Sequence, residues 1–178
     1  MTALMLAAEN GQKEIVEIIL ANDGIKGINY TNNDSYTALS LAASTGHSEI
    51  VRILTALPEI SIASVTVFGM NAFMLAADSG SIPTLVILKE KGIDVDAINN
   101  FGLSALMLAC QHEKGYLKVV QYLCEKAGAR VSLTSNNNSV LPQSFRLLIL
   151  CGVPPSHCCH RCLLSSLFVA IVVDRTDY

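Results

Sequence analysis

One seven-residue phrase is written four times along this chain: Thr2-Ala3-Leu4-Met5-Leu6-Ala7-Ala8, Thr37-Ala38-Leu39-Ser40-Leu41-Ala42-Ala43, Asn71-Ala72-Phe73-Met74-Leu75-Ala76-Ala77 and Ser104-Ala105-Leu106-Met107-Leu108-Ala109-Cys110. The copies start at residues 2, 37, 71 and 104, so they stand 35, 34 and 33 residues apart. A period in that range marks a repeat architecture, in which a unit too small to bury its own apolar face stacks on copies of itself. This restricts the fold to a linear array before any single element is assigned.

Within each copy the residues spell a helical hairpin. Thr2, Thr37, Asn71 and Ser104 carry the side-chain oxygen that an N-cap uses to accept from the unpaired amides of a first helical turn. The small pairs at Ala7-Ala8, Ala42-Ala43, Ala76-Ala77 and Ala109-Cys110 keep that first helix thin, so neighbouring backbones can approach closely. Gly11, Gly46, Gly80 and Gly115 fall where the helix should stop, supplying a left-handed residue without a Cβ penalty. A second helix follows in each unit, over Glu14 to Leu20, Glu49 to Leu54, Thr84 to Leu88 and Val119 to Cys124, with Pro83 suited to the opening turn of the third. Gly92 and Gly128 should close the last two of these, and Gly24 or Gly27 the first. Polar stretches such as Asn32-Asn33-Asp34-Ser35 and Asn99-Asn100-Phe101-Gly102 suit extended fingers that return the chain to the next unit.

These phrases resemble the ankyrin repeat, whose units run Thr-Pro-Leu-His-x-Ala-Ala, then Gly-His-x-x-Ile-Val, then a Leu-rich second helix. Gly46-His47-Ser48-Glu49-Ile50-Val51 is an almost complete match. The resemblance implies an all-α solenoid, here a right-handed stack of four helix-turn-helix units with finger loops. The units run over about residues 2–36, 37–70, 71–103 and 104–138, in an array spanning 1–133. Departures from the family pattern carry information. Ala3, Ala38, Ala72 and Ala105 replace its Pro, while Met5, Ser40, Met74 and Met107 replace its His, which removes the usual Thr-His hydrogen bonding. The second unit has Leu57-Pro58-Glu59 in place of a closing Gly, and the fourth has two extra residues before Gly115, so its first helix should be longer or bulged. Met1 opens straight onto the helix-start phrase, which predicts an uncovered apolar face at that end and is compatible with a fragment or a truncated gene model.

Composition changes from residue 134 onward, where only Arg146, Arg161, Asp174, Arg175 and Asp177 are charged. The segment 139–178 is read as an irregular, apolar, Cys-rich tail. Its cluster His157, Cys158, Cys159, His160 and Cys162, with Cys151 nearby, offers soft zinc ligands, but they crowd one turn where zinc sites present two separated pairs. Acylation of Cys158 and Cys159 beside the run from Leu163 to Val173 would support an interfacial membrane contact, since that run is too short to span a bilayer. The favoured reading is an irregular cap on the fourth unit or poorly ordered sequence from an anomalous reading frame.

The remaining composition excludes whole classes of function. Twelve Lys plus Arg against fifteen Asp plus Glu leave a net charge of −3, the wrong sign for a protein that grips phosphate backbones. No nucleophile elbow, phosphate-binding loop, dinucleotide fingerprint or His-Glu-x-x-His helix is spelled, so no enzyme activity, cofactor or metal is expected. Asp94 and Asp96 read as solvated loop acids, and His47 as a structural residue. Six cysteines as thiols and the lack of a leader predict a cytoplasmic protein.

What remains is surface. Curved repeat arrays bind through their concave face, and the register projects Glu9 and Asn10, Ser44 and Thr45, Asp78 and Ser79, and Gln111 and His112 there. Phe68 and Phe101 stand at equivalent finger positions before Gly69 and Gly102, and Tyr36 directly precedes Thr37. Large aromatics on exposed turns dominate binding energy at protein interfaces, unless the rings fold back on the neighbouring finger. The expected function is a non-catalytic scaffold that binds another protein through this face. The alternatives are a membrane-associated or zinc-dependent adaptor localised by the tail, and a regulatory fragment of a larger enzyme.

Overall fold

A computed structural model describes residues 1–23, 26–111 and 116–130 of the chain. Among these the elements run α1 (Ala3–Glu9), α2 (Lys13–Asp23), α3 (Ala38–Ser44), α4 (Ser48–Thr55), α5 (Ala72–Asp78), α6 (Ile82–Glu90), α7 (Ala105–Gln111) and α8 (Leu117–Tyr122), the last continuing into a π-helical turn over Leu123–Ala127. The helices pair as four hairpins. The short first helices α1, α3, α5 and α7 form one row, each packed on the next, and the second helices α2, α4, α6 and α8 form a parallel row behind them.

Each first helix starts where its cap residue dictates. Amides of Met5, Ser40, Met74 and Met107 donate to the side-chain oxygens of Thr2, Thr37, Asn71 and Ser104 at 3.2, 3.2, 2.8 and 3.4 Å. Ser40 closes a reciprocal box, its hydroxyl accepting from the Thr37 amide at 2.7 Å. The small residues Ala42, Ala43, Ala76 and Ala77 are wholly buried between the first helices, which can approach because nothing larger intervenes. Behind them Leu54, Leu88 and Leu123 fill equivalent fully buried positions on the second helices. α6, flanked by α4 and α8, buries residues around much of its circumference, including Thr84, whose hydroxyl lies 2.8 Å from that of Ser81.

The stop glycines do two jobs. Gly11, Gly46 and Gly80 have φ of 72°, 78° and 78°, the left-handed conformation that ends each first helix. They also form the seam between units. The residue following the next unit's stop glycine lies against each of them: His47 on Gly11, Ser81 on Gly46 and Tyr116 on Gly80. A Cβ at Gly11 would stand 2.6 Å from the His47 ring, and one at Gly80 would stand 1.8 Å from the Tyr116 ring. His47 adds a hydrogen bond, its Nε2 lying 3.1 Å from the Glu9 carbonyl oxygen, which requires the tautomer protonated at Nε2.

The ends of the second helices differ. Gly92 and Gly128 close α6 and the π-helical turn with φ of 80° and 77°. Leu88 precedes its closing glycine by four residues and Leu123 by five, and the wider turn absorbs the additional residue without displacing Leu123 from the core. The second unit, which has no closing glycine, ends α4 at Thr55, whose hydroxyl donates to the Val51 carbonyl at 2.8 Å. Gly27 is left-handed at 73° in a turn that Tyr30 closes by donating to its carbonyl at 3.0 Å. Gly24, Gly115, the extra residues ahead of Gly115 and the tail from residue 131 lie outside the described residues.

Leu6 is 48% exposed, whereas its counterparts Leu41, Leu75 and Leu108 are 6%, 4% and 6% exposed beneath a preceding unit. Ile15 and Ile18 are exposed beside it on α2.

Two substitutions test the backbone assignments. Gly92→Ala, with nothing near the added Cβ, should cost only the left-handed penalty of about 1 kcal/mol. Gly80→Ala should cost at least about 2 kcal/mol more, because the Tyr116 ring must move as well; urea midpoints of the two variants, with and without Tyr116→Ala, separate the contributions. Ser35 occupies the finger position that Gly69 and Gly102 fill in later units, yet holds a φ of 62°. Ser35→Gly should stabilise the protein by about 0.5 kcal/mol or more, read as a rise in the same midpoint.

Candidate protein-binding face

Fingers and first helices build one surface. Each finger is folded around a polar side chain five residues ahead of the unit's N-cap. Asn32 Oδ1 accepts from the amides of Asp34 and Tyr36 at 3.0 and 2.9 Å, and Asn99 Oδ1 accepts from those of Phe101 and Leu103 at 3.0 and 2.9 Å. Thr66 takes the same place in the middle finger, its hydroxyl accepting from the Met70 amide at 3.2 Å. These partly or fully buried acceptors satisfy amides that the turn would otherwise leave unpaired, which fixes the tips.

The tips are then tied to one another. The Val67 amide donates to the Asp34 carbonyl and the Asn100 amide to the Phe68 carbonyl, both at 3.0 Å, while Asn100 Nδ2 donates to the Val67 carbonyl at 2.9 Å. Gly69 admits this approach, since a Cβ there would stand 2.5 Å from Asn100 Oδ1. The fingers so held bring Phe68 and Phe101 into a stack with ring centroids 6.4 Å apart and planes inclined by 25°. The rings do lie against the neighbouring finger, but against each other, and they remain 47% and 56% exposed. An offset pair of this kind is pre-ordered and half-dehydrated.

Other positions singled out in the sequence divide by role. Asn10, Thr45 and Gln111 are exposed, and Glu9, Ser44, Asp78 and Ser79 are partly buried. Several polar groups among them are engaged locally: Asn10 Nδ2 donates to the Leu6 carbonyl, Ser44 and Thr45 hydroxyls to the Leu41 carbonyl, and the Ser79 hydroxyl across the seam to the Ala43 carbonyl at 3.0 Å. Ser79 thus joins units. Tyr36 is partly buried, and burial, then the carboxylates of Asp34 and Asp78, push its hydroxyl above the ordinary value of 10.0. His112 and the cluster His157, Cys158, Cys159, His160 and Cys162 lie outside the described residues.

Sequence reasoning missed one pairing. Asp96, read as a solvated loop acid, accepts from the Arg130 amide and from Arg130 Nε, each at 2.7 Å. Its carboxylate is mostly covered and ties the loop after α6 to the chain end after α8. Among the described residues no group of three His, Cys, Asp or Glu is placed to hold a metal ion, and no helix is long and apolar enough to cross a membrane.

Comparison with protein families matches residues 1–66 and 55–135 to the model for ankyrin repeats in three copies. The chain belongs to the ankyrin-repeat family. Its four hairpins are ankyrin units, and modules of this family generally act by binding other proteins. A comparison with curated proteins finds no match.

Tyr36 gives this face a measurable pH signature. Its folded-state value is raised, so above about pH 10 the unfolded chain releases a proton that the native state keeps, and stability falls as pH rises. Tyr122, raised by burial and then by Glu90, adds to the same loss. Tyr36→Phe should therefore reduce the decline in urea midpoint between about pH 9.5 and about pH 11 without abolishing it.

Proposed function

We propose that this ankyrin array is a non-catalytic cytoplasmic scaffold whose finger tips and first-helix row grip a partner protein. The observation that carries the reading is the stacked pair Phe68 and Phe101, half-exposed on fingers whose backbones are locked by inter-finger hydrogen bonds. Rigid aromatics can anchor a partner at little further cost in conformational entropy. The further candidate contact residues, chosen by register, are Glu9, Asn10, Tyr36, Ser44, Thr45, Asp78, Ser79 and Gln111, together with His112 outside the described residues. The family's usual mode of action supports protein binding as the activity, and the thiol-rich composition favours a reducing compartment.

Affinity capture with the full-length chain, read by mass spectrometry, supplies the partners for the test. Phe68→Ala with Phe101→Ala should weaken capture by more than about 2 kcal/mol, roughly thirtyfold in affinity, with helicity by circular dichroism unchanged. Glu17→Ala with Lys118→Ala, on the exposed side of the second helices, should leave capture intact. Equal capture by the wild type and the Phe variant would overturn this assignment of the face.

A further inference from the structure

The residue ahead of the stop glycine differs among the first three units: Asn10, Thr45 and Ser79. Only the first carries a side-chain amide, and Asn10-Gly11 is the one Asn-Gly pair in the 178-residue chain. An asparagine loses its amide when the following backbone nitrogen attacks the side-chain carbonyl, and glycine hinders that attack least because it has no side chain. The pair is also accessible. Asn10 is exposed, and the Gly11 amide has no acceptor among the described residues, whereas the amides of Gly46 and Gly80 donate to the Ala43 and Ala77 carbonyls, both at 3.2 Å.

The folded seam holds the reacting groups apart. Asn10 has a ψ of 4°, which turns the Gly11 nitrogen away from the Asn10 side chain, and ring closure needs both on the same side of the Cα–C bond. Asn10 Nδ2 is held on the Leu6 carbonyl at 2.8 Å, and beyond the glycine the Gln12 amide is held on the Ala7 carbonyl at 2.9 Å. The peptide between Asn10 and Gly11 cannot swing without disturbing the contact of Gly11 with the His47 ring, whose Nε2 lies 3.1 Å from the Glu9 carbonyl oxygen. Attack therefore requires local opening of the end of α1 and of its seam with the second unit.

We propose that Asn10-Gly11 is a deamidation site gated by the first seam, so that the chain keeps a covalent record of that seam's opening. In the open form the Gly11 nitrogen gives its proton to water and bonds to Asn10 Cγ. The Cγ–Nδ2 bond breaks, ammonia leaves and a succinimide remains. Water opens the ring at one of its two carbonyls, which leaves an aspartate or an isoaspartate at position 10, with one water consumed and one ammonia released. An aspartate replaces the donor on the Leu6 carbonyl by a carboxylate at a helix C-terminus, where negative charge is unfavourable. An isoaspartate routes the main chain through the former side chain and lengthens it by one atom between the Glu9 carbonyl and Gly11, the two groups that His47 touches. Either product weakens the seam that had protected the site.

The test ages the full-length chain at neutral pH and body temperature, then maps it by trypsin digestion and mass spectrometry. The peptide ending at Lys13 holds Asn10 as its only asparagine, and the peptides holding Asn29, Asn32, Asn33 and Asn100 are internal references. Deamidated product should accumulate in the Lys13 peptide ahead of the references, its isoaspartate fraction identified by labelling with protein isoaspartyl methyltransferase. His47→Ala should speed the reaction about three- to tenfold, because losing one seam hydrogen bond raises the open population. Urea well below the unfolding midpoint should speed it in the wild type as well, which tests the gate should the variant lose its fold. Asn10→Gln should abolish it. The modified fraction carries an added negative charge and separates on an anion exchanger, and its urea midpoint should lie below that of the unmodified protein. Asn10 left intact while the reference asparagines react would overturn the site. A rate indifferent to both His47→Ala and urea would overturn the gate, and an unshifted midpoint would overturn the weakening of the seam by its product.

Discussion

Close approach at a left-handed glycine is the contact on which the rest of the array depends. Gly11, Gly46 and Gly80 take the left-handed conformation that ends their helices, and Gly11 and Gly80 must also lack a Cβ to admit His47 and Tyr116 from the next unit, while at Gly46 the fit against Ser81 is merely tight. The incoming side chains share no chemistry: an imidazole that hydrogen-bonds, a hydroxyl, a phenol ring. Only the glycine is common to the three seams. Once it sets the separation of neighbouring units, the alanine-rich first helices meet without a gap, and the fingers fall close enough to bond tip to tip.

That spacing also explains why the aromatic pair exists at all. Phe68 and Phe101 are 33 residues apart and belong to different units, so their stacking is a property of the array and of neither finger alone. The buried acceptors Asn32, Thr66 and Asn99 keep each finger's amides satisfied from within, which leaves the tips free to carry large side chains outward. Among the described residues every Lys and Arg lies on a second helix or in the segment that follows one, interspersed there with Asp and Glu.

Much of the fold was legible because it is written in local chemistry repeated in register. The N-cap oxygens, the stop glycines at 11, 46 and 80, and Pro83 in the opening turn of α6 stand where their residue types require. What escaped the sequence was of two kinds. The π-helical turn hangs on one additional residue between Leu123 and Gly128, a difference that hydrophobic periodicity does not register. The pairing of Asp96 with Arg130 joins residues 34 apart in loops with no shared pattern, and the mutual stacking of the two Phe rings depends on a distance that only the packed array defines. The strained Ser35 was within reach of the register, since it stands where later units have glycine.

The seam contact has one more implication, which concerns insertions and deletions. The glycine seam, the first-helix row and the finger bonds join units at fixed register positions, so the stretches between those positions can change length. The described units already do so, with repeat starts drifting from 35 to 33 residues apart and an additional residue taken up in a widened turn, while Leu54, Leu88 and Leu123 stay in phase. In-frame insertions and deletions are thereby confined to the unit in which they fall, and loops can be lengthened or trimmed without dephasing the neighbours.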